Sequence, residues 1–290
     1  MDKLWADIDS AFDDFPFRDP EFPLSASPVI VDTEKGTLFG DLTMAGGPGT
    51  KGTLILTPPM GDGDDLASLI VPLTYAGIHV LTFKPRGTSR EGEAYSMPKA
   101  VDDVYSIISW IVANSGPDKV SSAGLGLRLD PSRIALCGIG DGGANVSVAA
   151  CAESSTANYV IAVAPGNLDA QLKPEVFAKA RPSMRALKEA TLGEIDMEAW
   201  YDALTAADKE RLSVIQQAPK LVDKHILLLG AKRDTVSPIA TCHEPNARAL
   251  RAAGARHLTE LVLDTDHLFL TKRYALARQV ITWLRTEGGF

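Results

Sequence analysis

Hydrophobic positions in this chain fall into two alternating periods. Short apolar runs recur at Thr53-Leu54-Ile55-Leu56-Thr57, His79-Val80-Leu81-Thr82-Phe83, Arg133-Ile134-Ala135-Leu136-Cys137, Tyr159-Val160-Ile161-Ala162-Val163-Ala164 and Ile226-Leu227-Leu228-Leu229. Continuous runs of that length suit strands covered on both faces. Between them the period changes to that of a helix. Val101, Val104, Ile107, Ile108 and Ile111 make one apolar stripe over 100–112, and further helices are predicted over 66–76, 142–150 and 274–284. Two runs flanking Glu34-Lys35-Gly36, over 29–31 and 37–42, read as an opening hairpin, and Leu261-Val262-Leu263 as a late strand. Strand and helix signals in alternation predict an α/β fold with a doubly wound, mostly parallel sheet.

One stretch breaks the rhythm. Over 166–222 the chain becomes a series of short helical segments rich in Lys, Glu and Ala, among them Glu198-Ala199-Trp200-Tyr201-Asp202-Ala203-Leu204. This reads as a small helical insertion within a single domain over 1–290. Its aromatic pair has two readings: Trp200 and Tyr201 line a substrate pocket, or they anchor the insertion to the body.

Composition supports one domain and narrows the partners. At 290 residues, 45% hydrophobic and 23% charged, the chain can bury a large core without a second domain. A net charge of −8 with interspersed signs offers no footprint for a phosphate backbone or an anionic membrane. Nucleic acid and membrane are therefore not expected as partners, and a small molecule is. The acidic start Met1-Asp2-Lys3-Leu4-Trp5 lacks the pattern of a secretory signal, and no run is long enough to span a bilayer; a cytoplasmic location is expected. Trp5, Ile8 and Phe12 at helical spacing, then Phe15-Pro16-Phe17, read as a segment packed on the body, or else docked to a partner or a second subunit. Cys137, Cys151 and Cys242 are odd in number and widely spaced, which reads as reduced core cysteine.

The candidate chemistry centres on Gly138-Ile139-Gly140-Asp141-Gly142, which joins an apolar strand to the small-residue stretch Gly143-Ala144-Asn145-Val146-Ser147. A strand, a sharp glycine-flanked turn and a helix form the setting of a nucleophile elbow. Where the elbow's serine would stand, this chain has Gly140. Two further sites follow in order. Asp234 lies in the loop after the apolar run 226–231, and His267 in Asp264-Thr265-Asp266-His267 after the strand at 261–263.

With these three contexts in sequence, the chain resembles the α/β-hydrolase superfamily from about Val29 to Leu284. The resemblance implies a site in which Gly140 stands at a vacant nucleophile position, Asp234 is the acid and His267 the base. It also implies an oxyanion hole made from the backbone N–H groups of Asp141 and Met60, the latter following Pro58-Pro59, of which neither proline has an N–H to give. The insertion over 166–222 corresponds to the superfamily's cap or lid. Lys84-Pro85-Arg86-Gly87 is similar to a family turn usually written D-x-R-G; Lys84 departs from it, and Arg86 is expected to bond loop carbonyls.

Other residues invite weaker readings. Asp141 is either a complement to the positive helix end or, less naturally, a displaced carboxylate nucleophile. Asp62-Gly63-Asp64-Asp65 lacks the ligand spacing of a calcium loop and is expected to cap a helix. His79, His225, His243 and His257 are expected at strand edges or surfaces as structural residues, with no metal-binding spacing along the chain. No cofactor is expected. Four functions fit this pattern: hydrolysis of an ester or amide by a histidine-activated water, a lyase, isomerase or cyclase with His267 as proton shuttle, a non-catalytic binding protein, and a serine hydrolase whose serine was replaced by design.

Overall fold

The computed structural model describes residues 21–58, 67–88, 94–122, 124–191 and 196–290. The aromatic N-terminal stretch, Met60 and the acidic loop at 62–65 lie outside these residues. Eight strands form one sheet: β1 (Ser25–Thr33), β2 (Gly36–Met44), β3 (Lys51–Thr57), β4 (His79–Lys84), β5 (Leu129–Ile139), β6 (Tyr159–Val163), β7 (His225–Ala231) and β8 (His257–Leu263). Their order is β1-β2-β4-β3-β5-β6-β7-β8. Pairing is antiparallel for β1 with β2 and β2 with β4, and parallel from β4 to β8.

The opening hairpin is longer than its apolar runs suggest, because pairing extends through polar residues to Thr33 and Gly36, where the Thr33 hydroxyl donates to the Gly36 carbonyl at 2.6 Å. The predicted helix over 66–76 is shorter, a 3-10 turn Ala67–Leu69 running into Ile70–Tyr75. The amphipathic helix extends over Met97–Ala113, started by Ser96, whose hydroxyl accepts from the Lys99 N–H at 3.4 Å. The closing helix is Arg273–Gly288.

Alternate residues of the central strands feed two cores. On one face Ile55, Ile134, Leu136, Ile226 and Leu228 pack with the helices Met97–Ala113, Val146–Glu153 and Glu244–Ala253. On the other, Leu54, Leu56, Ala135, Cys137, Leu227 and Leu229 pack with Leu73 and the closing helix. Burial on both faces explains the unbroken apolar runs. All three cysteines are free and buried.

The sheet positions the site. From β3 the chain crosses to β4 on one side of the β3/β5 boundary, and from β5 it runs outward through β6, β7 and β8 on the other, so the connections diverge there and leave a crevice at the carboxyl ends of these strands. Gly138 to Gly140 lie at the end of β5, at that crevice. The turn into the helix is a close approach: a Cβ on Gly138 would meet the Gly143 carbonyl carbon at 2.2 Å and its oxygen at 2.3 Å. The glycine opposite Gly138 is thus Gly143. Gly138→Ala should destabilise by about 3 kcal/mol or more, because the obstacle is backbone that no rotamer change can clear. Urea unfolding of the variant measures this.

Candidate active site

Gly140 holds φ 63° and ψ −167°, a left-handed turn that a glycine adopts without the strain imposed on other residues. It precedes a π-helical turn, Asp141–Asn145, which opens the helix Val146–Glu153. The first N–H groups of a helix lack intrahelical partners, and the Asp141 N–H is the first in this turn.

His267 and Asp234 come from neighbouring loops that the backbone ties together. The Lys232 N–H donates to the Leu263 carbonyl at 2.8 Å and the Arg233 N–H to the Thr265 carbonyl at 2.9 Å. The turn carrying His267 is fastened by the Asp266 carboxylate, which accepts from the Leu268 and Leu270 N–H groups, each at 3.1 Å. Phe269, fully buried with φ 57°, anchors it in the core.

Nδ1 of His267 lies 2.7 Å from Oδ2 of Asp234, whose side chain is fully buried. The other carboxylate oxygen accepts from the Val236 N–H at 2.8 Å and the Ser237 N–H at 2.7 Å. Burial pushes the Asp234 carboxyl up, but the bonds from His267 and the two backbone N–H groups outweigh it and hold it below the usual carboxylate range. A carboxylate only accepts, so the shared proton belongs to Nδ1 of His267 and the neutral ring keeps its lone pair at Nε2. That nitrogen points at the elbow. An ideal Cβ on Gly140 would lie 3.2 Å from Nε2 and 3.6 Å from Cε1 of His267.

Asp141 stands in the first turn of its helix, and its carboxylate makes a further contact. Its Oδ2 accepts a hydrogen bond from the Tyr201 hydroxyl, while Oδ1 is buried with no partner among the described residues. Gly166 packs against it so closely that a Cβ there would fall 1.7 Å from Oδ1 and 2.6 Å from Oε1 of Gln171, a second unpartnered oxygen. Burial raises the Asp141 carboxyl above its usual range despite the Tyr201 bond. A folded-state pKa above the unfolded value means that the native state loses stability as pH rises from the ordinary carboxylate range through the raised value. Asp141→Asn should therefore stabilise the protein at neutral pH by about 1 kcal/mol, with the difference from wild type shrinking in acid. Thermal unfolding across pH 4 to 8 tests it.

The insertion reaches the site through the same contact. Tyr201 is buried, packs edge-on against Phe177 at 5.7 Å and lines a cavity of about 260 Å³ with Leu172, Phe177, Arg181 and Lys209. The cavity belongs to the insertion, and Tyr201 is its link to the elbow. Trp200 turns instead to Tyr95, with ring centroids 4.9 Å apart, and joins the body core. Tyr201 belongs to the same core and in addition touches the elbow.

Arg86 departs from its expected role. It pairs with the fully buried Asp103, through Nε at 2.5 Å and through Nη2, while its backbone N–H donates to the same carboxylate at 2.8 Å. Asp103 on the next helix supplies the acid that Lys84 does not. Asn145 was also silent in sequence; fully buried, it accepts from the Gly166 N–H at 2.9 Å and donates to the Leu212 carbonyl at 3.0 Å, joining elbow helix to insertion. His79 and His243 are buried, not at edges or surfaces.

The strand order, the elbow at the end of β5 and the acid and histidine after β7 and β8 define a class. The chain belongs to the alpha/beta hydrolase fold family, whose profile matches residues 93–271. Among solved structures it is similar to the esterase Pf2001 of Pyrococcus furiosus, at 18% identity over 91% of this chain and 90% of that one, TM-score 0.66. It is also similar to the alpha/beta hydrolase GrgF from Penicillium sp. sh18 (19% identity, 90% and 99% covered, TM-score 0.61) and to DcsB, solved with its substrate analogue (16%, 92% and 100%, TM-score 0.61). No curated protein sequence matches the chain. Among the described residues no helix is long and apolar enough to cross a membrane.

Proposed function

We propose that this protein hydrolyses an ester or amide bond of a small molecule, with His267 as general base on a water that occupies the space over Gly140. The observation that carries this is the aim of Nε2 at the empty side-chain position, 3.2 Å from an ideal Cβ. Water bonded to that nitrogen would lose its proton to it while attacking the carbonyl carbon, and the imidazolium would return that proton to the leaving alcohol oxygen or amine nitrogen as its bond to the carbonyl carbon breaks. Asp234 holds the ring and stabilises the imidazolium that forms. The N–H groups of Asp141 and Met60 would receive the oxyanion, and the 166–222 insertion, acting as a cap, would present Tyr201 to the substrate. An enzyme lacking the nucleophile is slow: loss of a triad serine removes about 10⁶ in rate, whereas the oxyanion hole and binding retain some 10³ to 10⁴ over water.

A second reading, a non-hydrolytic proton transfer with His267 as shuttle, draws support from the Asp141–Tyr201 pair, a buried acid beside the same turn. Short activated esters separate the two. Hydrolysis without a burst and without a covalent acyl adduct by mass spectrometry supports direct water attack; no hydrolysis above buffer with any activated ester, amide or lactone would refute it.

A further inference from the structure

Parallel pairing of β6, β7 and β8 brings Tyr159, His225 and His257 side by side at the strand starts, the end of the sheet opposite the elbow. The three rings form a ladder. Tyr159 and His225 stack at 4.7 Å with 27° between planes, and His225 and His257 at 4.1 Å with 18°. Glu287, near the end of the closing helix, places Oε2 3.1 Å from Nδ1 of His225. One ligand atom from each of His225, His257 and Glu287 lies within 4.8 Å of the other two.

We propose that His225, His257 and Glu287 bind a divalent transition-metal ion, with Zn²⁺ as the best fit. Two imidazoles and one carboxylate are the donor set that zinc takes with water in a fourth position, at about 2.0 to 2.2 Å from each atom. Tetrahedral ligands at such lengths stand about 3.4 Å apart, and the His225–Glu287 pair is already at 3.1 Å. The remaining contraction falls on His257 and Glu287, both exposed. His225 is held in place between Tyr159 and His257, so less side-chain freedom is lost on binding. Imidazole nitrogen favours zinc, nickel or copper over magnesium or calcium, which prefer all-oxygen sites. The site lies away from Gly140, so it is a clamp joining two strand starts to the closing helix, independent of the chemistry proposed above.

The test is calorimetric titration of the untagged protein with ZnCl₂, paired with thermal unfolding. Wild type should bind one Zn²⁺ saturably and, at 100-fold excess over the dissociation constant, unfold about 5 °C higher, reversibly with EDTA. His257→Asn and Glu287→Gln, changes at exposed positions, should fold like wild type without metal and lose at least tenfold in zinc affinity; Mg²⁺ should give no shift. Absence of saturable zinc binding in wild type, or unchanged affinity in both variants, would overturn the proposal.

Discussion

Gly140→Ser should acquire covalent labelling by a fluorophosphonate probe at residue 140, where the wild type has no hydroxyl to label. Its Cβ would enter a position that Nε2 and Cε1 of His267 face at 3.2 and 3.6 Å, so the new hydroxyl would meet a base already fixed by Asp234 at 2.7 Å. Two strains accompany the gain. At φ 63° a residue with a Cβ pays about 1 to 2 kcal/mol that glycine avoids, and 3.2 Å from Cβ to Nε2 requires the imidazole to retreat by a few tenths of an ångström. The His267 side chain is 18% exposed, so the shift falls on the side chain and not on its turn. The variant should thus be less stable in urea yet react with activated esters in a burst, the mark of an acyl-enzyme. A folded variant that neither bursts nor labels would show that the crevice is no longer arranged for acyl transfer.

The second large effect is loss of turnover at the acid and the base. His267→Ala removes the ring nitrogen aimed at the space over Gly140 and should reduce kcat by about 10² to 10⁴, the usual contribution of a positioned base. Asp234→Asn is the sharper experiment. Its carboxamide oxygen can still accept from the Val236 and Ser237 N–H groups, but an amide NH₂ facing Nδ1 favours the opposite tautomer and puts the ring proton on Nε2, which then cannot accept one. A fall in kcat approaching that of His267→Ala, with KM and circular dichroism near wild type, is expected. Because Asp234 is held below the usual carboxylate range by His267 and the N–H bonds, its contribution to stability is present above the unfolded-state pKa and is lost as pH falls through the folded one; Asp234→Asn should flatten that acid limb. Undiminished activity in His267→Ala would leave this residue pair without a catalytic part.

Much of the architecture was legible locally. The runs at 53–57, 133–137 and 226–229 became central strands because both faces of the sheet are covered, and the stripe from Val101 to Ile111 became the buried side of a helix. Asp234 and His267 were found from the loops that follow strands, and the structure brings them into contact. Other pairings were invisible because their partners are distant in the chain. Arg86 was expected to hold carbonyls and instead neutralises Asp103, buried on the following helix. Asp141 stands at the helix start as expected, but its bond to Tyr201, 60 residues away, had no local signal.

What the sequence determined by itself was the period of burial, the order of strands and helices, the place of the sharp turn and the absence of a serine within it. These are properties of a few adjacent residues, set by backbone sterics and by which faces must leave water. The tertiary structure decided which glycine faces Gly138, which carboxylates are buried together, and that His225 and His257 share one sheet register. Those outcomes depend on strand order and on loops closing across the fold, where a single ångström separates contact from clash and no local pattern carries the information.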